Sequence, residues 1–314
     1  MTDLLVLKQY ISNFIGKFEV YLKPIFKLIL AIITFATINS KLGYMEKIDN
    51  MAIVLIASLM CSFMPVNFIV LLAAVFVVLH MYALSLECAI IVLVLFLVLF
   101  LMYFRLAPKD TILALLTPIL HGMGIPYIMP VAAGLTGNPS SAVSVGCGVI
   151  VSCVLRTIND NSTTLGAMET EDMASKFRFL IDTILANKAM ILLVVAFAIT
   201  VIVVYTVKQL PIDFSWSIAI LAGAILDAII VLAGSLSSDA DISLGGVILG
   251  TVLAIAVGFV IQFFIHNVDY SRTEKVQFED DDYHYYVKAV PKKTVSVPTR
   301  NVKKINASRK RPSK

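Results

Sequence analysis

One carboxylate stands alone in an apolar run. Asp227 lies near the middle of AILAGAILDAIIVLAG (219–234), with no other polar side chain in that stretch. A carboxyl group there is expensive to bury and marks a functional site by default, because hydrocarbon offers an ionised group no solvation. It could exchange a proton or a cation during a working cycle. The plainer role is a hydrogen bond to a Ser, Thr or backbone group of another helix, which would only specify packing. His121 is the second candidate, set in ILHGMGIP (119–126) between apolar runs. An imidazole titrates near neutral pH and could relay protons or touch a substrate, or it could simply end a helix. Thr117, Tyr127 and Thr136 are the other polar side chains of this region, and Asn138 follows in GNPSS (137–141). That turn opens a helix, so its free N–H groups could hold an anion, although Asn138 is also a suitable N-cap. In the tail, Tyr283, Tyr285 and Tyr286 follow an acidic run and form a β-prone aromatic piece that could add to a partner's sheet edge.

These residues need a frame, and composition supplies it. Of the 314 residues 59% are hydrophobic and 15% charged, with a mean hydropathy of +0.91. Soluble domains carry about 25% charged residues, so the expected class is an all-α integral membrane protein. The net charge of +4 is unevenly placed: residues 269–314 hold 12 Lys/Arg and 6 Asp/Glu, and the rest is slightly acidic. Cys61, Cys88, Cys147 and Cys153 lie in apolar segments without CxxC spacing and read as small buried hydrophobes. HExxH, GxSxG, GxxxxGK[ST] and paired Cys/His clusters are all missing from the sequence, so neither an enzyme nor a cofactor or metal is expected.

Three segments are expected: an amphipathic interfacial helix (1–24), a polytopic membrane domain (24–266) and a tail (267–314). Leu4, Leu7, Ile11, Phe14, Phe18 and Tyr21 share one helical face, fit to lie on an anionic leaflet or on the protein itself. About eight transmembrane helices follow, at 24–40, 51–64, 66–85, 87–104, 139–158, 189–207, 215–235 and 242–266. The loop at 159–188 carries a surface helix. Segment 108–136 differs from the spans. It is apolar, yet Pro and Gly cut it into two pieces of about 12 residues, and a span needs about 20. The pair reads as re-entrant half-helices meeting at His121–Gly124, a common sign of a transport pathway.

Charge supports this topology. The basic tail places the C-terminus in the cytoplasm, and counting back places Lys208, Asn138, Lys109, Arg105 and the N-terminal lysines on that side. The count closes with both termini cytoplasmic only if 108–136 leaves on the side it entered. From Tyr283 onward the tail has ten Lys/Arg and no acid, so it is expected to be disordered and to bind anionic lipid headgroups. Nucleic acid is the second choice for that charge.

Two stretches, GIPYIMPVAAGLTGNPSSAVSVGCGVIV (124–151) and NVDYSRTEKVQFEDDDYHYYVKAVPK (267–292), carry a resemblance. They resemble a group of bacterial multi-pass membrane proteins with no assigned substrate, sometimes labelled ABC-transporter permeases. The resemblance implies the bacterial cytoplasmic membrane. ABC permeases carry a coupling loop of Glu-Ala-Ala-x-x-x-Gly type, and this sequence has none. The expected function is a transporter or permease, proton- or cation-coupled. The alternatives are a membrane-anchored scaffold with a cytoplasmic protein partner, or a membrane subunit of an ATP-driven transporter.

Overall fold

The computed structural model describes residues 2–167, 173–238, 240, 242–265, 274–279 and 284–289. They form two units, one spanning 19–265 and one drawn from 1–18 and 266–314. The larger unit is helical throughout: α2 (Glu19–Leu42), α3 (Met51–Phe63), α4 (Asn67–Leu84), α5 (Leu86–Leu106), α6 (Thr111–Gly122), α7 (Ile128–Thr136), α8 (Ser141–Asp160), α9 (Ser162–Ala167), α10 (Met173–Leu185), α11 (Lys188–Lys208), α12 (Ser215–Ser238) and α13 (Leu244–Ile265). Seven of these, α2, α4, α5, α8, α11, α12 and α13, are long and apolar enough to cross a membrane. The chain is a multi-pass membrane protein. Helix α3 is apolar but only 13 residues long, about 20 Å against the ~30 Å of a hydrocarbon core.

Local signals explain the breaks. Asn50, Ser85 and Asn187 each cap a helix, their side-chain oxygens accepting a hydrogen bond from Ala52 N–H, Cys88 N–H and Met190 N–H. The first long helix begins at Glu19, upstream of the expected start at 24, and Pro24 sits inside it. Proline carries no N–H, and its own carbonyl accepts from Ser62 Oγ of α3 at 2.9 Å. The break between α6 and α7 is a Schellman turn: Gly124 has φ 81°, and Ile125 N–H reaches back to the Leu120 carbonyl at 3.0 Å. Pro126 follows and bars continuation. Pro118, inside α6, ends nothing.

Side-chain pairings fix the direction of each helix. Phe35 stacks on Phe76 and Asn39 meets His80, so α4 runs with α2, whereas Lys27 on the Met64 carbonyl and Asn39 on the Ile48 carbonyl set α3 against α2. Helix α6 runs with α8, because Thr117 abuts Gly148 and His121 faces Cys153. Helix α11 opposes α8, with Asn187 bonded to Thr157 and Val194 near Gly146. Helix α7 runs with α11: Tyr127 meets Phe197, and Gly134 meets Val204. The chain therefore goes one way in α6, returns in α7 and goes out again in α8. Thr111 at the start of α6 bonds Asn67 at the start of α4, and the end of α7 meets Lys208 at the end of α11. Both lie at the end of the bundle where α2 starts.

The smaller unit contains α1 (Thr2–Lys17) and a two-stranded antiparallel sheet, β1 (Glu274–Glu279) and β2 (His284–Ala289), with Glu274 opposite Ala289 and Glu279 opposite His284. The membrane domain is helical as expected, and β2 falls in the stretch from Tyr283 on that was expected to be disordered. The β-prone piece that could add to a partner's sheet edge pairs within its own chain. The helix expected over 1–24 stops at Lys17, and Leu7, Tyr10 and Phe14 are exposed on it. The basic stretch beyond 289 lies outside the described residues.

Candidate functional site

The sequence candidates separate into two groups. Asp227 and Tyr127 belong to the packed seam between α7, α11, α12 and α13. Residues Ala219, Gly223, Asp227, Val231 and Ser235 form the buried stripe of α12 at helical spacing, so Asp227 faces α11 because its neighbours in that stripe do. Its side chain is 1% exposed, and Thr200 Oγ donates to its Oδ1 at 3.1 Å. Tyr127, also buried, packs edge-on to Phe197 with ring centroids 5.9 Å apart. The two residues lie within electrostatic reach of each other. Tyr127 occupies a notch in α13 at Gly250, where an added Cβ would stand 2.3 Å from its ring. The GVILG motif (246–250) thus admits an aromatic ring of α7 through Gly250.

His121 belongs to the second group. It ends α6 beside a cavity of about 640 Å³ bounded by α2, α4, α5, α6 and α8. The deeper walls are apolar, with Val77, Phe96, Leu99 and Val151 among them. The charged groups gather at the other end, Lys41 from α2 and Arg156 and Asp160 from α8, with Ser40 and Asn159 beside them. His121 Nε2 lies 3.9 Å from Cys153 Sγ, in the fourth turn of α8 and roughly 18 Å along it. Lys41 reaches down from the last turn of α2 across Gly122, whose missing Cβ would otherwise overlap the ammonium. Lys41 and Arg156 are the cations whose fields reach His121. Arg156 Nε is 3.7 Å from Asp160, while Lys41 has no ion-pair partner among the described residues.

Asp227 does not line this cavity, and His121 and Asp227 share no partner. Thr117 is fully buried at the α6–α8 contact and donates to the Leu113 carbonyl at 2.7 Å, so its hydroxyl is already used. Asn138 is exposed, and the cap position of α8 is Ser140, without a side-chain cap bond. Asn138 does not cap α8, and its own backbone N–H donates to Ser141 Oγ at 3.0 Å. Tyr286 is exposed on β2, Tyr285 lies on the same strand, and Tyr283 falls outside the described residues. All four cysteines are buried and free.

Two residues matter more than their sequence context announced. Lys208 donates to the carbonyls of Gly134 at 2.9 Å and Leu135 at 2.8 Å, closing the C-terminal end of α7. Its ammonium also lies over the rings of Tyr205 and Trp216. The only sequence signal was a cation at a helix end. His80, late in α4, is fully buried. Its Nδ1 accepts from Met45 N–H at 3.2 Å and its Nε2 faces Asn39 Oδ1 at 3.0 Å, so the Nε2-protonated tautomer fits both. The Asn39 amide in turn donates to the Ile48 carbonyl at 2.8 Å, and the loop between α2 and α3 is held by this chain.

Compared with protein-family models, curated proteins and solved structures, the chain matches none, and its function is argued from its own geometry.

Proposed function

We propose that the chain is a transporter or permease of the cytoplasmic membrane, in which α6 and α7 form a re-entrant pair lining the pathway. The observation that carries this reading is the reversal at Gly124. Helices of 12 and 9 residues, too short to span, run in opposite senses against full-length α8 and α11. Irregular backbone at membrane depth survives where it lines a cavity or is buried in protein, and the cavity beside His121 meets that condition. Lys208 supports it from the other side, supplying donors to the carbonyls that α7 leaves open where it ends. In this reading α3 is an eighth, short crossing, the basic ends of the chain are cytoplasmic, and Asp227 is the coupling group. The tail would meet anionic headgroups.

The test is access. His121→Cys and Thr37→Cys, placed singly, should react with a water-soluble, membrane-impermeant thiol reagent added from the extracytoplasmic side. Protection of both would remove the pathway. A scaffold reading is favoured by one observation, the exposed Tyr286, Val287 and Lys288 on a two-stranded sheet whose outer edges can take a further strand. Deleting 276–314 should abolish partner capture in that case and leave solute flux untouched in ours.

A further inference from the structure

The cavity at His121 has the build of a site for one particular chemistry. Its wall between α4, α5, α6 and α8 is apolar, with Ala73, Ala74, Val77, Phe96, Leu99 and Phe100 on it. Its volume of about 640 Å³ falls within the range of sites that enclose most of a small ligand. Its lining on α8 runs from Cys147 to Asp160, about 20 Å of rise, so it is elongated along the bundle. The charges are confined to one end. Lys41 and Arg156 approach His121 from α2 and α8 there, against the single carboxylate of Asp160. A cation on a lipid-buried helix normally extends outward to the headgroups. Lys41, itself exposed, instead lies over the end of α6 at the mouth of the cavity, and Gly122 is the residue that leaves room for it.

We propose that this cavity binds an amphiphilic anion, a single hydrocarbon chain bearing a phosphate-like headgroup. The headgroup is held by Lys41 and Arg156 beside His121, and the chain lies along the apolar wall toward Leu99. Three facts converge on it: an elongated apolar space, a pair of cations at one end only, and one of those cations unpaired among the described residues. A neutral lipid would draw no attraction from the two cations at the cavity's charged end. A free inorganic anion would leave the apolar wall empty. The proposal deepens the pathway reading by naming its substrate class. Its test uses no gradient, so loss of binding and loss of flux are separate results.

The experiment is equilibrium binding of radiolabelled oleyl phosphate to the full chain in phosphatidylcholine nanodiscs, with empty nanodiscs subtracted. Saturable binding near one per chain is expected, with oleyl alcohol at least about tenfold weaker. Lys41→Gln and Arg156→Gln should each weaken oleyl phosphate severalfold, and Asp160→Asn should tighten it. Arg156 is 75% exposed, so its replacement leaves the fold intact and keeps the test valid should Lys41→Gln prove unstable. Equal affinity for the alcohol and the phosphate would overturn the proposal. So would native-like binding in the Arg156 variant, or full displacement by millimolar inorganic phosphate, which would mark a site for a free anion.

Discussion

The Lys208 ammonium stands 2.9 Å from the Gly134 carbonyl oxygen, 74 residues earlier in the chain, and so ties the last turn of α11 to the open end of α7. Without it the carbonyls of Gly134 and Leu135 lose a charged donor at a partly buried helix end. Lys208→Met should therefore cost roughly 1.5–3 kcal/mol, the range for hydrogen bonds to charged groups. Thermal unfolding in detergent measures it, and an unchanged midpoint would mean that the cap contributes nothing.

Asp227 and Thr200 form the buried pair of the α11–α12 seam. Asp227→Asn keeps the shape and can still accept the Thr200 hydroxyl, so the fold should be unaffected. Proton movement followed by pyranine trapped in proteoliposomes should fall to the level of protein-free vesicles. Undiminished proton movement would leave Asp227 a packing residue. Thr200→Val should instead destabilise by about 1–3 kcal/mol, since it strips a buried carboxylate of its donor.

Asn39 sits between His80 and the Ile48 carbonyl, bonded to both. Asn39→Ala leaves the His80 ring N–H and that carbonyl unsatisfied in a buried place. A loss of about 1–3 kcal/mol is expected in chemical denaturation. A loss below the error of the method would mean that the α2–α3 loop is held by other contacts.

Gly250 and Tyr127 are matched in shape. Gly250→Ala should displace the ring and cost roughly 1–3 kcal/mol, as overpacking does. In a Tyr127→Leu background the same change should cost much less, and a double-mutant cycle reads the difference. Additive effects would show that the notch does not seat the ring.

Much of the frame was legible because it follows from local patterns. Apolar length gave the seven long helices, and the Gly124–Ile125–Pro126 sequence gave the break, since a left-handed glycine followed by proline ends a helix wherever it occurs. Burial of Asp227 followed from its neighbours in the α12 stripe. The partners were not legible. Nothing near Lys208 in sequence mentions Gly134, and nothing near His80 mentions Asn39, 41 residues away. Nothing near Lys41 in sequence points to Gly122, over which its ammonium lies. The settings of Thr117, bonded within its own helix, and of Asn138, exposed before α8, were not legible for the same reason. Their hydrogen-bonding and exposure depend on how α6 and α8 pack and start, and spacing alone does not carry that.

The central claim is that the chain returns between α6 and α8 to the side it came from. Lys109→Cys and Asn138→Cys, both exposed positions, can be placed singly in a chain whose own four cysteines are buried. Labelling with a membrane-impermeant maleimide in right-side-out and inverted vesicles then reads their sides directly. Both should label only in inverted vesicles, while Lys47→Cys, in the loop between α2 and α3, should label only in right-side-out ones. Lys109→Cys and Asn138→Cys labelling from opposite sides would contradict the account.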